Sequence, residues 1–100
     1  WDVPVAEVSE QPAVRQARAA EAQTYAPVEL RFAEDKLSRA RSAADAEEYT
    51  LAIELAAQAQ VDGELAEAKS LAARARAEVR QKTEENARMS RELLGEGERP

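Results

Sequence analysis

Acidic and basic side chains are the residues of this chain that could do chemistry, because cysteine and histidine are both absent. Their absence removes thiol and imidazole catalysis, disulfides and the usual transition-metal ligands. Three adjacent carboxylate pairs, at 34–35, 47–48 and 84–85, are candidates for acid–base catalysis or calcium binding. Adjacent residues of a helix point in different directions, however, and no loop has EF-hand spacing. We therefore interpret these pairs as solvated helix surface, and expect no enzyme, no metal site and no cofactor.

A basic stretch in the second half of the chain, KSLAARARAEVRQK, is the second candidate site. Its candidate anion-binding residues are Arg74, Arg76 and Arg80. The net charge of −6 argues against nucleic acid as a partner, and the apolar residues of the stretch are mostly alanine, which predicts weak membrane insertion. Two interpretations stay open: ion pairing with acids of another helix such as Glu21 or Glu10, and binding of an anionic component such as peptidoglycan.

The aromatic residues are a third candidate. Tyr25, Phe32 and Tyr49 could form a patch for a ligand, but aromatics of this kind more often close the ends of a thin alanine core. Trp1 is either a flexible start or an anchor for a partner, and we favour the first.

The elements that position these residues are predicted to be helices almost throughout. Alanine contributes 23 residues, against eight leucines, seven valines, one isoleucine, one methionine and four aromatics. Alanine, Glu, Gln, Arg, Lys and Leu all favour helix. A chain of 100 residues with this composition predicts one small all-α domain with a thin core.

Proline and acidic residues mark the predicted boundaries. We expect an extended lead-in or tether over residues 1–11, helices over about 12–25, 27–44 and 46–80, and a helical or fraying tail over 81–100. Pro12 and Pro27 suit the first turn of a helix, and Asp45 with Glu48 suits a capping box. Because the larger apolar residues thin out after Val79, we expect the packed body to end near residue 80.

A row of small residues runs along the third predicted helix. Steps of three and four give positions that hold nothing larger than serine: Ala52, Ala56, Ala59, Gly63, Ala66, Ser70, Ala73 and Ala77. Small residues let two helix backbones approach closely. A chain reversal at Asp45 would pair positions whose numbers sum to about 92 or 93. The row would then pack against Leu30, Ala33, Leu37 and Ala40, with Gly63 opposite Leu30.

Two arrangements of the first helix stay open. In an antiparallel hairpin it extends the second helix as a bent arm, with Ala20 opposite Ala73 and residues 14–17 opposite Ala77. In a compact three-helix bundle it folds back on the second helix, which leaves the far half of the long C-terminal helix exposed or available for dimerisation. Residues 47–67 hold six acids and no base, and residues 69–82 hold five bases and one acid. That polarity could favour antiparallel self-association.

Three segments, YAPVEL, AEDKLSRARSA and EYTLAIELAAQAQVDGELAEAKSLAARA, carry a family resemblance. They resemble the alanine-rich envelope domain of unknown function of Gram-negative bacteria, often found in lipoproteins or N-terminal to OmpA-like peptidoglycan-binding domains. The family pattern has Tyr-Ala-Pro opening a helix, here residues 25–27, and then Lys-Leu among alanines, here Ala33, Lys36, Leu37 and Ala40. A Gly-Asp-Tyr turn follows, of which Tyr49 is present while Glu47 and Glu48 replace Gly-Asp. The resemblance covers about residues 13–79.

The resemblance implies a cellular location but no enzymatic activity. It implies an exported, periplasmic protein, with an outer-membrane anchor as one option, whose signal or lipid anchor was removed before Trp1. No run of about 18 apolar residues exists, so membrane contact is expected only through such a removed segment. The leading hypothesis is a non-enzymatic helical structural and protein-interaction module of the cell envelope, with self-association as one option. The alternative is an accessory domain that recognises an anionic cell-wall component through the basic stretch.

Overall fold

The computed structural model describes residues 11–98, with side chains as far as residue 95. These residues form four helices: α1, Pro12–Ala19; α2, Ala22–Tyr25; α3, Pro27–Asp45; and α4, Tyr49–Glu98. No strand occurs within residues 11–98, and the predicted all-α fold is confirmed. Apart from Gln11, the expected lead-in lies outside the described residues.

A turn at Ala20 and Glu21 divides the first predicted helix in two. The amide of Ala20 donates to the carbonyl of Gln16, and the amide of Glu21 to the carbonyl of Arg18. Glu21 has a left-handed backbone with φ of 64°, which is uncommon outside glycine. Neither Gly nor Pro marks this break, so helix propensity alone predicts one continuous helix. The break belongs to the chain reversal that places α1 beside α3.

The turn between α3 and α4 has the hydrogen bonds of a Schellman motif. The amide of Glu48 donates to the carbonyl of Ala43 at 2.8 Å, and the amide of Glu47 to that of Ala44 at 3.0 Å. Glu47 is the left-handed residue of the motif, with φ of 61°. Asp45 ends α3 instead of capping the next helix, so the expected capping box is absent and α4 starts at Tyr49.

α3 runs antiparallel to α4. The Nζ atom of Lys69 donates to Oε1 of Glu29 at 2.5 Å, and Nζ of Lys36 lies 2.7 Å from Oδ2 of Asp62. Both pairs join residues whose numbers sum to 98, against the predicted 92 or 93. The reversal lies at residues 46–48 and not at Asp45, which shifts the register in this direction and accounts for part of the difference.

α1 runs parallel to α4 and antiparallel to α3. Near its start Ala13 lies against Gly63, and just after its end Glu21 lies beside Arg74. Arg18 and Glu34 join α1 to α3, with Nε 3.3 Å from Oε1. The compact three-helix bundle is therefore the correct arrangement. The bent arm, in which α1 would run antiparallel to α4, is wrong.

The core between the helices is thin and consists mainly of alanine. Its buried cluster is Val14, Ala17, Ala22, Ala26, Leu30, Ala33, Leu37, Ala59 and Ala66. Short side chains bring the helix axes together, so dispersion contacts along the seams stabilise a core that has few large side chains. The predicted packing residues of the second helix, Leu30, Ala33, Leu37 and Ala40, are all buried.

α4 is longer than the bundle to which it belongs. Its last half-buried residue is Ala77, and residues 78–95 are exposed on every side of the helix. The packed body thus ends close to residue 80, and the backbone of the tail is helical as far as Glu98. A helix of 50 residues is about 75 Å long, which accounts for the long dimension of the 81 × 19 × 13 Å molecule. Within residues 11–98, no helix has both the length and the hydropathy of a membrane span.

Candidate interaction surface

The row of small residues from Ala52 to Ala77, which we call the small row, lies on α4 and faces the inside of the bundle. Ala52, Ala59, Gly63, Ala66 and Ser70 are buried, and Ala56, Ala73 and Ala77 are half-buried. Its predicted partners on α3 are also buried: Leu30, Ala33, Leu37 and Ala40. The second half of the row, which the sequence left open to a second molecule, is covered by the chain itself as far as Ser70.

Gly63 makes a close helix contact, but with α1. A Cβ atom at position 63 would lie 2.9 Å from the carbonyl carbon of Ala13 and 3.0 Å from its oxygen. The predicted contact of Gly63 with Leu30 is therefore wrong. The reason is the direction of α1, which folds back and takes the space on the row that a two-helix hairpin would leave to α3.

Ser70 is the one polar side chain of the row, and it is fully buried. Its Oγ donates to the carbonyl oxygen of Ala66 one turn earlier, at 2.7 Å. This bond within the helix satisfies the hydroxyl without a partner on another helix. Ser70 is thus a small packing residue and carries no reactive group aimed at solvent.

Ion pairs border the seam between α3 and α4. The Lys69 ammonium hydrogen-bonds to the Glu29 carboxylate and, with the backbone amide of Glu29, lowers the pKa of that carboxyl below its ordinary value. Lys36 and Asp62 form the second pair, with partly exposed side chains. Such pairs set helix register and orientation, and each contributes little to stability at a solvated surface.

The three candidate anion-binding arginines do not form one site. Nε of Arg74 lies 4.0 Å from Oε2 of Glu21, so this arginine takes part in the interhelix pairing that the sequence suggested. Arg76 and Arg80 are exposed, and neither forms an ion pair within residues 11–98. At about 100° per residue they lie on one side of α4, and Arg74 lies on another.

The aromatic residues do not form a common patch. Tyr25 lies before α3 and Tyr49 follows it, so the two lie at opposite ends of a helix of 19 residues, about 28 Å long. Phe32 lies between them and is 56% exposed. Among the described residues, no group of three or more acidic side chains is placed to hold a metal ion.

Six of the exposed apolar side chains of α4 form a stripe on the face that points away from the bundle, while Leu51, Leu65 and Leu94 are exposed outside it. We define the outer stripe as Ile53, Val61, Leu71, Val79, Met89 and Leu93. These side chains are 49–65% exposed and lie within about 80° of the helix circumference. The stripe is centred roughly 140° from the small row, and it continues past the end of the bundle.

Sequence reasoning did not recognise the outer stripe. The signal was present as alternating steps of eight and ten residues from Ile53 to Met89, which return to nearly the same side of a helix. The signal is weak because alanine and polar residues fill the intervening positions. Only the placement of α1 and α3 shows which side of α4 is free.

Comparison with known proteins identifies a family. No curated protein and no solved structure matches the chain at a significant level. The family described as Domain of unknown function (DUF4398) matches residues 11–82, which includes the whole bundle and the start of the α4 extension. The chain therefore belongs to this family of uncharacterised domains.

Proposed function

We propose that the chain is a non-enzymatic structural and protein-interaction module of the bacterial cell envelope. The observation that carries the proposal is the outer stripe, an apolar surface on a helix that is long, regular and covered on its opposite side only. A monomeric protein rarely leaves a long apolar surface in water without a use for it. The stripe offers a partner helix a straight surface of more than 50 Å, since about 40 residues separate its ends.

The bundle supports this role as a rigid base. The backbone of α1 packs closely against the small row of α4. Ion pairs join α1 to α3 and α3 to α4. That packing orients α4, so its free face has one direction relative to the body. The envelope location comes from the family resemblance, and we propose a periplasmic protein. Fractionation of the source cells with an antibody tests it, because recovery in the cytosol would contradict the location.

Site-directed photocrosslinking of the full-length protein in its own cells tests the interaction role. A benzophenone amino acid replaces Val61 or Val79 in the outer stripe, and Arg15 or Arg31 on the exposed outer sides of α1 and α3 as matched controls. We expect covalent protein adducts from the two stripe positions and none from the controls. The proposal fails if the stripe positions give no adduct, or if all four positions react alike.

A second candidate function is recognition of an anionic cell-wall component by the basic stretch. It is favoured by the exposure of Arg76 and Arg80, which have no ion pair in the described part of the chain. Retention on purified peptidoglycan at low and high salt tests it. Loss of retention in the Arg74, Arg76 and Arg80 triple alanine variant, with retention kept in an Arg15 and Arg31 double alanine variant, would favour this candidate over the first.

A further inference from the structure

The unpaired charges of α4 are separated along its length. Several charged residues of α4 are paired with the other helices: Asp62 with Lys36, Lys69 with Glu29, and Arg74 with Glu21. Those without an ion pair in residues 49–82 are four acids and three bases, and one of the acids, Glu78, lies among the bases. The acids Glu54, Glu64 and Glu67 precede the bases Arg76, Arg80 and Lys82. This stretch of the helix therefore presents a negative half followed by a positive half.

We propose that the outer stripe packs antiparallel against the outer stripe of a second copy of this chain. The inference rests on the proposed function, because it names the partner of the same surface. Antiparallel pairing is the orientation in which the acidic half of each helix lies along the basic half of the other. Parallel pairing would place acids beside acids and bases beside bases, which is unfavourable.

The midpoint between the two charged halves locates the two-fold axis near Ala68. Ala68 is exposed and lies within the sector of the outer stripe. Around this axis Val61 of one helix lies about 6 Å along the helix axis from Leu71 of the other, with alanines between them. Val79 then lies opposite Ala57 of the other copy, whereas Met89 and Leu93 extend past the start of that copy's α4, and the face occupied by α1 and α3 remains outside the interface.

Sedimentation equilibrium of the full chain tests the mass and the charge pairing. The apparent mass of the 11.0 kDa chain should rise toward twice that value as the concentration increases. The association should be weaker in high salt, because exposed charges are screened. One variant replaces Glu54, Glu64 and Glu67 with lysine, and a second replaces Arg76, Arg80 and Lys82 with glutamate. Each should self-associate at least about tenfold more weakly, and an equimolar mixture should recover the dimer. Circular dichroism checks that both variants remain helical.

Disulfide crosslinking tests the orientation, since the chain contains no cysteine. Ala68→Cys lies near the axis, so two copies should link readily under mild oxidation. Ile53→Cys should not link to itself, because the two copies of this residue would be about 45 Å apart in the antiparallel pair. Val79→Cys should behave like Ile53→Cys. Equal self-linking of all three variants would mean parallel pairing and would overturn the proposal.

The outcomes separate this inference from the proposed function. A chain that stays monomeric at millimolar concentration overturns the second-copy proposal. If Val61 and Val79 nevertheless crosslink to a different protein in cells, the interaction role stands with another partner. If the chain is monomeric and no stripe position crosslinks, both proposals fail. A dimer whose charge variants associate as tightly as the original chain also overturns the inference, because the pairing would then not depend on the separated charges.

Discussion

At the scale of single residues, two positions decide how closely the chain can pack and turn. Gly63 allows the backbone of α1 to touch α4, and Glu47 takes a left-handed conformation that closes α3. Gly63 suits its position because it has no side chain. Glu47 is poorly suited to its position, because its side chain disfavours a positive φ. In the family pattern that the sequence resembles, glycine precedes Asp-Tyr, and Glu47 stands at that glycine.

Gly63→Ala should destabilise the protein by about 1 kcal/mol. Alanine gains roughly 1 kcal/mol of helix propensity over glycine, but overpacking costs roughly 1–3 kcal/mol, and the clash is with the backbone of Ala13. Chemical denaturation measures the difference. Gly95→Ala is the matched control, because nothing lies within 4 Å of its added methyl group, and it should be neutral or mildly stabilising. Equal effects of the two substitutions would contradict the close contact.

Glu47→Gly should stabilise the protein by about 1 kcal/mol, because glycine adopts a positive φ without the steric penalty of a side chain. The thermal unfolding midpoint should rise accordingly. Glu48→Gly is the control, since Glu48 is the next residue and has no positive φ. It should give no gain, because glycine only adds freedom to the unfolded chain there. A lower midpoint for Glu47→Gly would argue against the left-handed turn.

At the scale of helices, α3 and α4 are aligned by charged pairs that cross their seam. The pairs at Glu29–Lys69 and Lys36–Asp62 lie two turns apart and have the same register. The alanines between these pairs allow α3 and α4 to pack closely. Because they are identical, they do not favour one register over another. Charges at the edges make registers displaced by one turn unfavourable, because the carboxylates would lose their cations.

The Glu29 carboxyl should titrate below its ordinary pKa, because Lys69 hydrogen-bonds to its ionised form. A lowered pKa in the folded state means that the stabilisation is present above the ordinary carboxyl pKa and is lost as pH falls through the lowered value. NMR titration of the side-chain carboxyl measures it. Lys69→Gln should raise the Glu29 pKa toward its ordinary value, whereas Lys82→Gln, beyond the bundle, should leave it unchanged. No response to Lys69→Gln would contradict the pair.

At the scale of the whole molecule, one long helix makes the protein elongated. The radius of gyration of the Cα atoms is 21.7 Å, whereas a globular chain of 100 residues has about 13 Å. The bundle occupies the first half of α4 only, so the second half is a helix that depends on its own propensity or on a partner. The outer stripe runs along both parts of α4, from Ile53 beside the bundle to Leu93 beyond it.

Small-angle X-ray scattering of the dilute monomer should give a radius of gyration near the 21.7 Å of the elongated structure and well above the value for a globular chain. The physical reason is that α4 continues past Ala77 as a single helix. A truncated chain that ends at residue 82 is the control, and its radius should fall while its helical bundle remains folded by circular dichroism. A radius near the globular value for the full chain would mean that the end of α4 folds back.

The sequence by itself determined the helical class, most of the buried faces, the start of α3 at Pro27 and the end of the packed body. These follow from propensity and periodicity, which are properties of residues and their near neighbours. Only the tertiary structure decided the break at Glu21, the direction of α1, the contact of Gly63 with Ala13 and the free side of α4. Alanine-rich faces are nearly equivalent to one another. The choice among them therefore depends on turns in left-handed conformations and on a few charged pairs, whose effects appear only when all three helices pack together.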